Sequence, residues 1–148
     1  MNIFEALRAD HEIQRGLIRD LVATNGESAT RERLFGALKT ELAAHAAAEE
    51  RHFYVPLMQS DLTIEKARHS VAEHHELDEL VETLEHTEMS SPGWLAAAKR
   101  LEEKLQHHLE EEEHEVFQLA GKALEDDAKS TLARAYLDEM SAQKNKAA

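Results

Sequence analysis

Six residues that could bind metal ions recur in this chain at a constant offset. Three of them are each followed 63 positions later by a residue of the same type, which gives the pairs His11 and His74, His45 and His108, and Glu49 and Glu112. Each half of the chain therefore carries one separate histidine and one H-x-x-x-E pair. Four imidazoles and two carboxylates from two equivalent halves are a donor set that suits a pair of metal ions.

The spacing of these residues is typical of amphipathic helices. His45 and Glu49 are four residues apart, so on a helix both side chains point the same way from adjacent turns. The histidines also lie within apolar stripes, as His11 does between Leu7 and Ile18. A buried carboxylate without a partner is costly, and two of them close together are costlier. Metal cations would remove that cost.

Composition and helix-capping signals predict an all-α chain. Ala, Leu, Glu and Lys dominate, and there are only 5 glycines and 2 prolines. The expected helices run from Asn2 to about Thr24, from Ser28 or Thr30 to about Met58, from Asp61 or Thr63 to about Met89, from Ser91 to about Gly121, and from about Asp127 to Ala142. Short connections favour an up-down four-helix bundle with a short fifth helix, and the repeat predicts a two-fold relation between helix pairs.

Length, charge and the lack of cysteine narrow the class of protein. We predict a single domain over residues 1–143, with repeat halves at about 2–60 and 61–123, and a polar tail over 144–148. The absence of cysteine excludes disulfides and thiolate metal sites. A net charge of −13 argues against nucleic acid and anionic membrane surfaces as partners. No apolar run approaches the ~20 residues of a membrane span, and no signal peptide is visible, so we expect a cytoplasmic protein.

The simplest assembly of the six donors gives each ion two histidines and shares Glu49 and Glu112 as bridges. It leaves room for an oxo or hydroxo bridge and for an open coordination position on each ion. Imidazole and carboxylate donors suit Fe, Mn or Zn. An open position indicates reaction with a small molecule in addition to any structural role.

Two residues near the first H-x-x-x-E pair are further candidates. His52 lies seven positions after His45, on the ligand face, but its repeat equivalent is Glu115, so it is a secondary candidate for a ligand or for a group that supports one. Tyr54, five positions after Glu49, could supply a phenolate. We expect the remaining histidines to be solvated; they are His69, His75, His86, His107 and His114. We expect the same of the acidic run at residues 110–113, apart from Glu112.

At these residues the chain resembles the hemerythrin-like, or HHE cation-binding, family of di-iron four-helix bundles. The resemblance covers roughly residues 4–120 and rests on His11, His74, His45-x-x-x-Glu49-Glu50 before Tyr54-Val55-Pro56, and His108-x-x-x-Glu112-Glu113 before Phe117. It implies a non-haem di-iron centre that binds O2, NO or peroxide, with the iron ions held by His11, His45, Glu49, His74, His108 and Glu112. Zn and Mn are substitutes that the same donors would accept.

One departure from the family pattern bears on function. Oxygen-carrying hemerythrins have a fifth histidine four residues after the helix-3 histidine, where this chain has Asp78, and an H-x-x-x-x-D pair where it has His108 and Glu112. The pattern is closer to four-His, two-Glu members, which are associated with iron handling and with nitrosative or oxidative stress. We therefore expect a centre that reacts with or senses O2, peroxide or NO, or that handles iron. No side chain stands out as a catalytic acid or base, so the sequence leaves enzymatic activity open.

Alternative functions remain open at this point. A ferritin-like di-iron carboxylate oxidase uses Glu-x-x-His pairs, and Glu49-x-x-His52 and Glu111-x-x-His114 match that spacing. These two pairs do not occupy the same register of the repeat, which argues against this interpretation. The other alternative is an iron store or sensor that acts through a protein partner. A bundle without metal would leave its buried carboxylates uncompensated.

Overall fold

The computed structural model describes residues 1–147 as five helical rods. They are α1 (Ile3–Val22); α2 (Ala29–Glu49), which continues through the π-helical turn π1 (Glu50–Tyr54) into α3 (Val55–Leu57); α4 (Ile64–Glu85); α5 (Pro92–Glu111), which continues through π2 (Glu112–Val116) into α6 (Phe117–Ala123); and α7 (Asp126–Ala147). These residues contain no strand, which confirms the all-α prediction. No helix in this range has both the length and the apolar character of a membrane span.

The helix starts follow the capping signals of the sequence. The Asn2 side chain accepts a hydrogen bond from the backbone N–H of Glu5, and the Glu5 carboxylate accepts one from the backbone N–H of Asn2. This is the predicted capping box, which satisfies two backbone donors at once. Ser28 and Ser91 each accept a hydrogen bond from the backbone N–H three residues later, and Pro92 occupies the first turn of α5.

The fifth helix is longer than the sequence indicated. α7 has 22 residues, and it continues through the polar segment 144–147, while Ala148 lies outside the described residues. Ala133, Tyr136 and Met140 are its buried residues, and α7 packs against α1 and α2. Lys144 extends this contact, because its Nζ lies 2.8 Å from Glu41 Oε2. The polar composition of the segment obscured the helix, since such a helix needs only a narrow apolar stripe.

Two apolar clusters fill the bundle, one towards each end. The first cluster includes Leu7 and Phe53, and the second includes Ile18 and Leu38. Along α1 the clusters are separated by His11, and the other three rods of the four-helix bundle carry buried polar residues where the two clusters meet. The core is therefore an apolar layer, a polar layer and a second apolar layer.

Candidate metal centre

The structure brings the six metal-binding candidates together in the polar layer. Each is at most 5% exposed; they are His11 on α1, His45 and Glu49 on α2, His74 on α4, His108 on α5 and Glu112 at the start of π2. Their donor atoms form two groups of four that both include Glu49 and Glu112. Within each group the donor atoms lie within 4.8 Å of one another, so each group could hold a metal ion.

Glu49 contacts one histidine of each group. Its Oε1 lies 3.3 Å from Nε2 of His45, which belongs to the first group. The same oxygen lies 3.0 Å from Nε2 of His74, which belongs to the second. Glu49 therefore stands between the two groups, as a carboxylate shared by two ions must.

Glu112 joins the same two groups with its two oxygens. Its Oε1 lies 3.0 Å from Nε2 of His11, and its Oε2 lies 3.9 Å from Nε2 of His108. One carboxylate oxygen thus faces each group. This is the arrangement in which a carboxylate can bridge two cations.

The inward-facing donor atoms of this layer lack hydrogen bonds. Among the described residues, none of the four Nε2 atoms and neither carboxylate oxygen of Glu49 or of Glu112 has a hydrogen-bond partner of acceptable geometry. Buried polar atoms are normally paired, because an unpaired one costs free energy. Nitrogen and carboxylate donors are ligands of Fe, Mn and Zn, so a pair of such cations fits the residues present.

The two carboxylates differ in how readily they ionise. Burial raises the pKa of Glu112 well above its usual value, and the neighbouring charge of Glu49 adds to the increase. Burial acts on Glu49 as well, but the charge and contact of His45, followed by the contact of His74, outweigh it and hold the pKa of Glu49 well below its usual value. Two carboxylates in contact cannot both ionise cheaply, and cations would remove this conflict.

Two of the histidines hold protons tightly in the absence of a metal ion. Burial alone would lower the pKa of His11, but the contacts with Glu112 and Glu113 outweigh it and raise that pKa to about 9. Burial is likewise outweighed at His74, where Glu49 and Glu50 raise the pKa to about 9. A metal ion must therefore displace a proton from each of these imidazoles as it binds.

Acidic residues hold the outer nitrogens of these same two histidines. Glu113 Oε2 lies 2.7 Å from Nδ1 of His11, and Glu50 Oε2 lies 3.2 Å from Nδ1 of His74. Glu50 and Glu113 are themselves 63 positions apart, so the repeat includes them. Arg15 also binds Glu113, with Nη2 2.8 Å from Oε1. Such outer partners fix the orientation of an imidazole and increase its basicity as a ligand.

The outer nitrogens of the other two histidines are held by a second repeat-related pair. Glu73 Oε1 lies 2.8 Å from Nδ1 of His108. Its equivalent 63 positions earlier is Asp10, which reaches Nδ1 of His45 through the hydroxyl of Tyr136. Aspartate is one methylene shorter than glutamate, and the tyrosine hydroxyl fills the difference. Each of the four histidines thus has an outer partner on Nδ1 and directs Nε2 into the centre.

Comparison with known proteins shows the family and the fold of this chain. The sequence model of the hemerythrin HHE cation-binding domain matches residues 2–120. The chain belongs to this family. Its fold is similar to the crystal structure of a hemerythrin HHE cation-binding domain-containing protein from Mycobacterium kansasii, with a TM-score of 0.89, 23% identity, and coverage of 99% of this chain and 89% of that chain. The comparison with curated proteins gives no significant match. The family resemblance and the hemerythrin-like bundle are therefore confirmed.

Both H-x-x-x-E pairs of this HHE domain adjoin a π-helical turn: π1 begins directly after Glu49, and π2 begins at Glu112 itself. The backbone N–H of Val55 donates to the carbonyl of Glu50, and that of Phe117 donates to Glu112, each spanning five residues. A five-residue span encloses one residue more than an α-helical turn, so it changes which face the following side chains occupy. Such turns occur frequently at functional sites, but no sequence pattern predicted these two.

His52 lies outside the two donor groups of the HHE centre. It follows Glu49 within π1, and its Nε2 lies 3.3 Å from Oε1 of Glu139 on α7. The wider turn thus directs His52 towards α7. A ferritin-like oxidase would need the histidines of both Glu-x-x-His pairs at the centre. Here His52, from the first pair, contacts Glu139 instead, and His114, from the second pair, is exposed.

Tyr54, the other further candidate, is fully buried beside the centre. Its ring centroid lies 5.7 Å from that of His74, and its hydroxyl has no hydrogen-bond partner among the described residues. It therefore belongs to the wall of the centre, next to the second donor group.

Proposed function

We propose that this HHE domain holds two iron ions in the two donor groups and that this pair reacts with O2, peroxide or NO as a scavenger or sensor. The observation that carries the proposal is the set of buried, unpaired donors that share Glu49 and Glu112. When bound, the iron pair supplies electron transfer to a small oxidant. Zn and Mn fit the same donors, so the choice of iron depends on the family resemblance and on the reactivity proposed here.

The number of protein donors favours reaction over reversible carriage. Six side chains shared between two ions leave each ion with coordination positions that the protein does not fill. Asp78 stands where the oxygen carriers of this family have their additional histidine, and it is exposed. Neither ion is then saturated, which is the condition for binding a reactant directly.

A small cavity beside the histidines supports the choice of a small reactant. Its volume is about 10 Å³, and it is lined by Gln14, Leu42, His45, Ala46, His74, Leu77, Asp78, Leu105 and His108. This is room for roughly one water-sized molecule. Dioxygen, NO and peroxide are within reach of such a space after minor side-chain movement, whereas an organic substrate is not.

The cavity adjoins a surface recess at two of its lining residues. His74 and Asp78 also line a recess of about 340 Å³ on the surface of α4. They therefore form the boundary between the cavity and solvent. A small molecule entering here meets the second donor group first.

The test combines metal analysis with a reactivity measurement. Protein expressed with ample iron should contain two irons per chain and show the near-ultraviolet charge-transfer bands of a coupled iron pair. After anaerobic reduction, addition of O2 or peroxide should oxidise it irreversibly or with turnover, and NO should give a long-lived nitrosyl. A stable and reversible oxygenated spectrum would instead identify a carrier. Two bound irons without any such reaction would favour the store or sensor that acts through a protein partner.

A further inference from the structure

A second pair of H-x-x-x-E segments lies on the outside of the bundle. His69 and Glu73 are four residues apart on α4, and His107 and Glu111 are four residues apart on α5. We propose that these four residues form a separate surface site for one divalent transition-metal cation. His69, Glu73 and Glu111 supply its core, and His107 completes it from the edge.

The distances bring three of these side chains to one point. Nε2 of His69 lies 3.1 Å from Oε1 of Glu111 and 3.5 Å from Oε2 of Glu73. One donor atom from each of the three lies within 4.8 Å of the others. Nε2 of His107 lies 3.2 Å from the other oxygen of Glu111. The contact between His69 and Glu111 joins α4 to α5, whereas the other two contacts each lie along one helix.

Histidines are the direct partners of the two carboxylates in this cluster. Glu73 is only 5% exposed, and the side chain of Glu111 is 18% exposed, yet their oxygens face the same point. Within residues 1–147, neither forms an ion pair with a lysine or arginine; the neighbouring Lys66 and Lys104 pair with Glu115 and Glu76. Like charges this close repel each other, and a cation between them reverses the sign of that interaction.

The donor chemistry selects the class of cation. Two imidazoles and two carboxylates are borderline to hard ligands, which suit Zn²⁺, Mn²⁺ or Fe²⁺ better than Ca²⁺ or Mg²⁺, whose sites are built from oxygen. A cation can enter from a recess of about 390 Å³ that His107 and Glu111 line together with Glu110, His114 and Glu115. Water from that recess would fill the remaining coordination positions.

Glu73 connects this surface site to the buried centre. Its Oε1 lies 2.8 Å from Nδ1 of His108, while its Oε2 faces His69. Inner and outer donors also alternate from α5 into π2, where His107 and His108, and Glu111 and Glu112, are sequence neighbours. A cation on the surface site would therefore bind Glu73, the same carboxylate that holds Nδ1 of His108.

The experiment titrates the iron-loaded protein with Zn²⁺ and follows binding by calorimetry, with iron content measured before and after. Wild type should bind one Zn²⁺ per chain and keep its iron. The double variant His69→Ala/His107→Ala should bind that Zn²⁺ at least about tenfold more weakly, which is the loss already typical for removing a group that only supports a ligand. Both side chains are more than half exposed, at 55% and 67%, so the variant should fold normally.

His114→Ala is the matched control, because it removes an exposed histidine from the same recess without touching the proposed donors. It should bind Zn²⁺ as wild type does. The proposal is overturned if wild type binds no additional Zn²⁺, if the double variant binds it with unchanged affinity, or if His114→Ala abolishes binding. Because the measured ion is bound outside the buried centre, the result is independent of what the iron pair reacts with.

Discussion

The hydroxyl of Tyr136 lies 2.6 Å from Nδ1 of His45 and donates its own proton to the carboxylate of Asp10. Burial, and then the neighbouring Asp10, raise the pKa of Tyr136 above its usual range, so the hydroxyl stays protonated. Its oxygen must therefore accept the hydrogen bond from Nδ1–H of His45. That fixes the tautomer in which Nε2 presents its lone pair to the centre. Through this contact α7 supports a ligand candidate from outside the matched range of the HHE domain, residues 2–120.

Replacing Tyr136 with phenylalanine should weaken iron binding without unfolding the protein. The ring remains to fill its place in the core, but Nδ1 of His45 loses its acceptor. Loss of such an outer partner typically costs 10–100-fold in metal affinity, and we expect about this loss. The measurement is iron retained against a graded series of chelator concentrations, with circular dichroism to show that the helices are intact.

The second half of the chain provides a specific rescue for this variant. Glu73 supports His108 directly, so Asp10→Glu in the Tyr136→Phe background should bring a carboxylate closer to Nδ1 of His45 and recover most of the lost affinity. Equal iron retention in Tyr136→Phe and wild type would show that the hydroxyl does not support the centre. Failure of the rescue alone would show that a longer carboxylate at position 10 does not replace the tyrosine hydroxyl.

Removing either shared carboxylate should lower iron content while leaving the helices largely formed. Glu49→Ala and Glu112→Ala each take a donor from both groups at once. We expect fewer than two irons per chain in each variant by elemental analysis, together with loss of the absorption that a coupled pair produces.

His52→Ala is the matched control for these variants, because His52 lies on the same rod but contacts Glu139. It should retain both irons. Full loss of iron in His52→Ala together with wild-type content in His45→Ala would instead support the ferritin-like register.

Much of the architecture was predictable because its signals are local. Apolar stripes at helical spacing, the Asn2 capping box and the Ser91-Pro92 start depend on residues within a few positions of one another. The placement of the six donor candidates in one layer followed from the repeat, since equivalent positions on antiparallel helices meet at similar heights. Glu50 and Glu113 share the same 63-residue offset, so the repeat also contained a signal for these outer partners.

Other parts of the centre depend on contacts that sequence spacing does not report. Tyr136 meets His45 across 91 positions, from a helix that has no equivalent in the repeat. Glu113 was expected on a solvated face, yet it binds His11 and Arg15 because α1 packs against the end of α5. The two π-helical turns depend on backbone hydrogen bonds that several local sequences can form. These are the features that orient the histidines.

Removal of the metal should lower the melting temperature but preserve the fold. The two apolar clusters do not depend on the centre, whereas the unpaired donors between them do. Ligand at about 100 times its dissociation constant stabilises a folded protein by about 2.7 kcal/mol, which at this size corresponds to roughly 5 to 10 °C. Thermal unfolding with and without chelator measures the shift. In Glu112→Gln, which keeps the shape but loses a bridge, chelator should cause a smaller shift.

The contact between α7 and the second rod should weaken in acid because of Glu139. Its hydrogen bond from Gln143, followed by those from Arg51 and His52, lowers the pKa of Glu139 from 4.5 to about 2. A carboxylate whose pKa is lowered on folding stabilises the folded state at pH values above its unfolded pKa. This stabilisation is lost as the pH falls from 4.5 towards 2. The melting temperatures of wild type and Glu139→Gln should therefore differ at neutral pH and converge over that range. The exposed Glu79→Gln is the control, and a pH-independent difference for Glu139→Gln would contradict the assignment.

Filling the cavity should slow the reaction of the centre without removing its metal. Ala46 lines the cavity of about 10 Å³, so Ala46→Leu adds three carbons to a space that holds roughly one water-sized molecule. The six donor candidates are unchanged, and iron content should stay at the wild-type value. The rate at which the reduced protein reacts with O2 or peroxide, followed by stopped-flow absorbance, should fall at least about tenfold, which corresponds to an added barrier of about 1.4 kcal/mol.

Ala43→Leu separates this steric effect from a general effect of enlarging an alanine on α2. Ala43 is exposed and lines a different surface recess, together with Lys39, Thr40 and residues of α7. It should react at the wild-type rate with the same iron content. If Ala46→Leu keeps its iron and reacts as fast as Ala43→Leu, the reactant does not pass through this cavity.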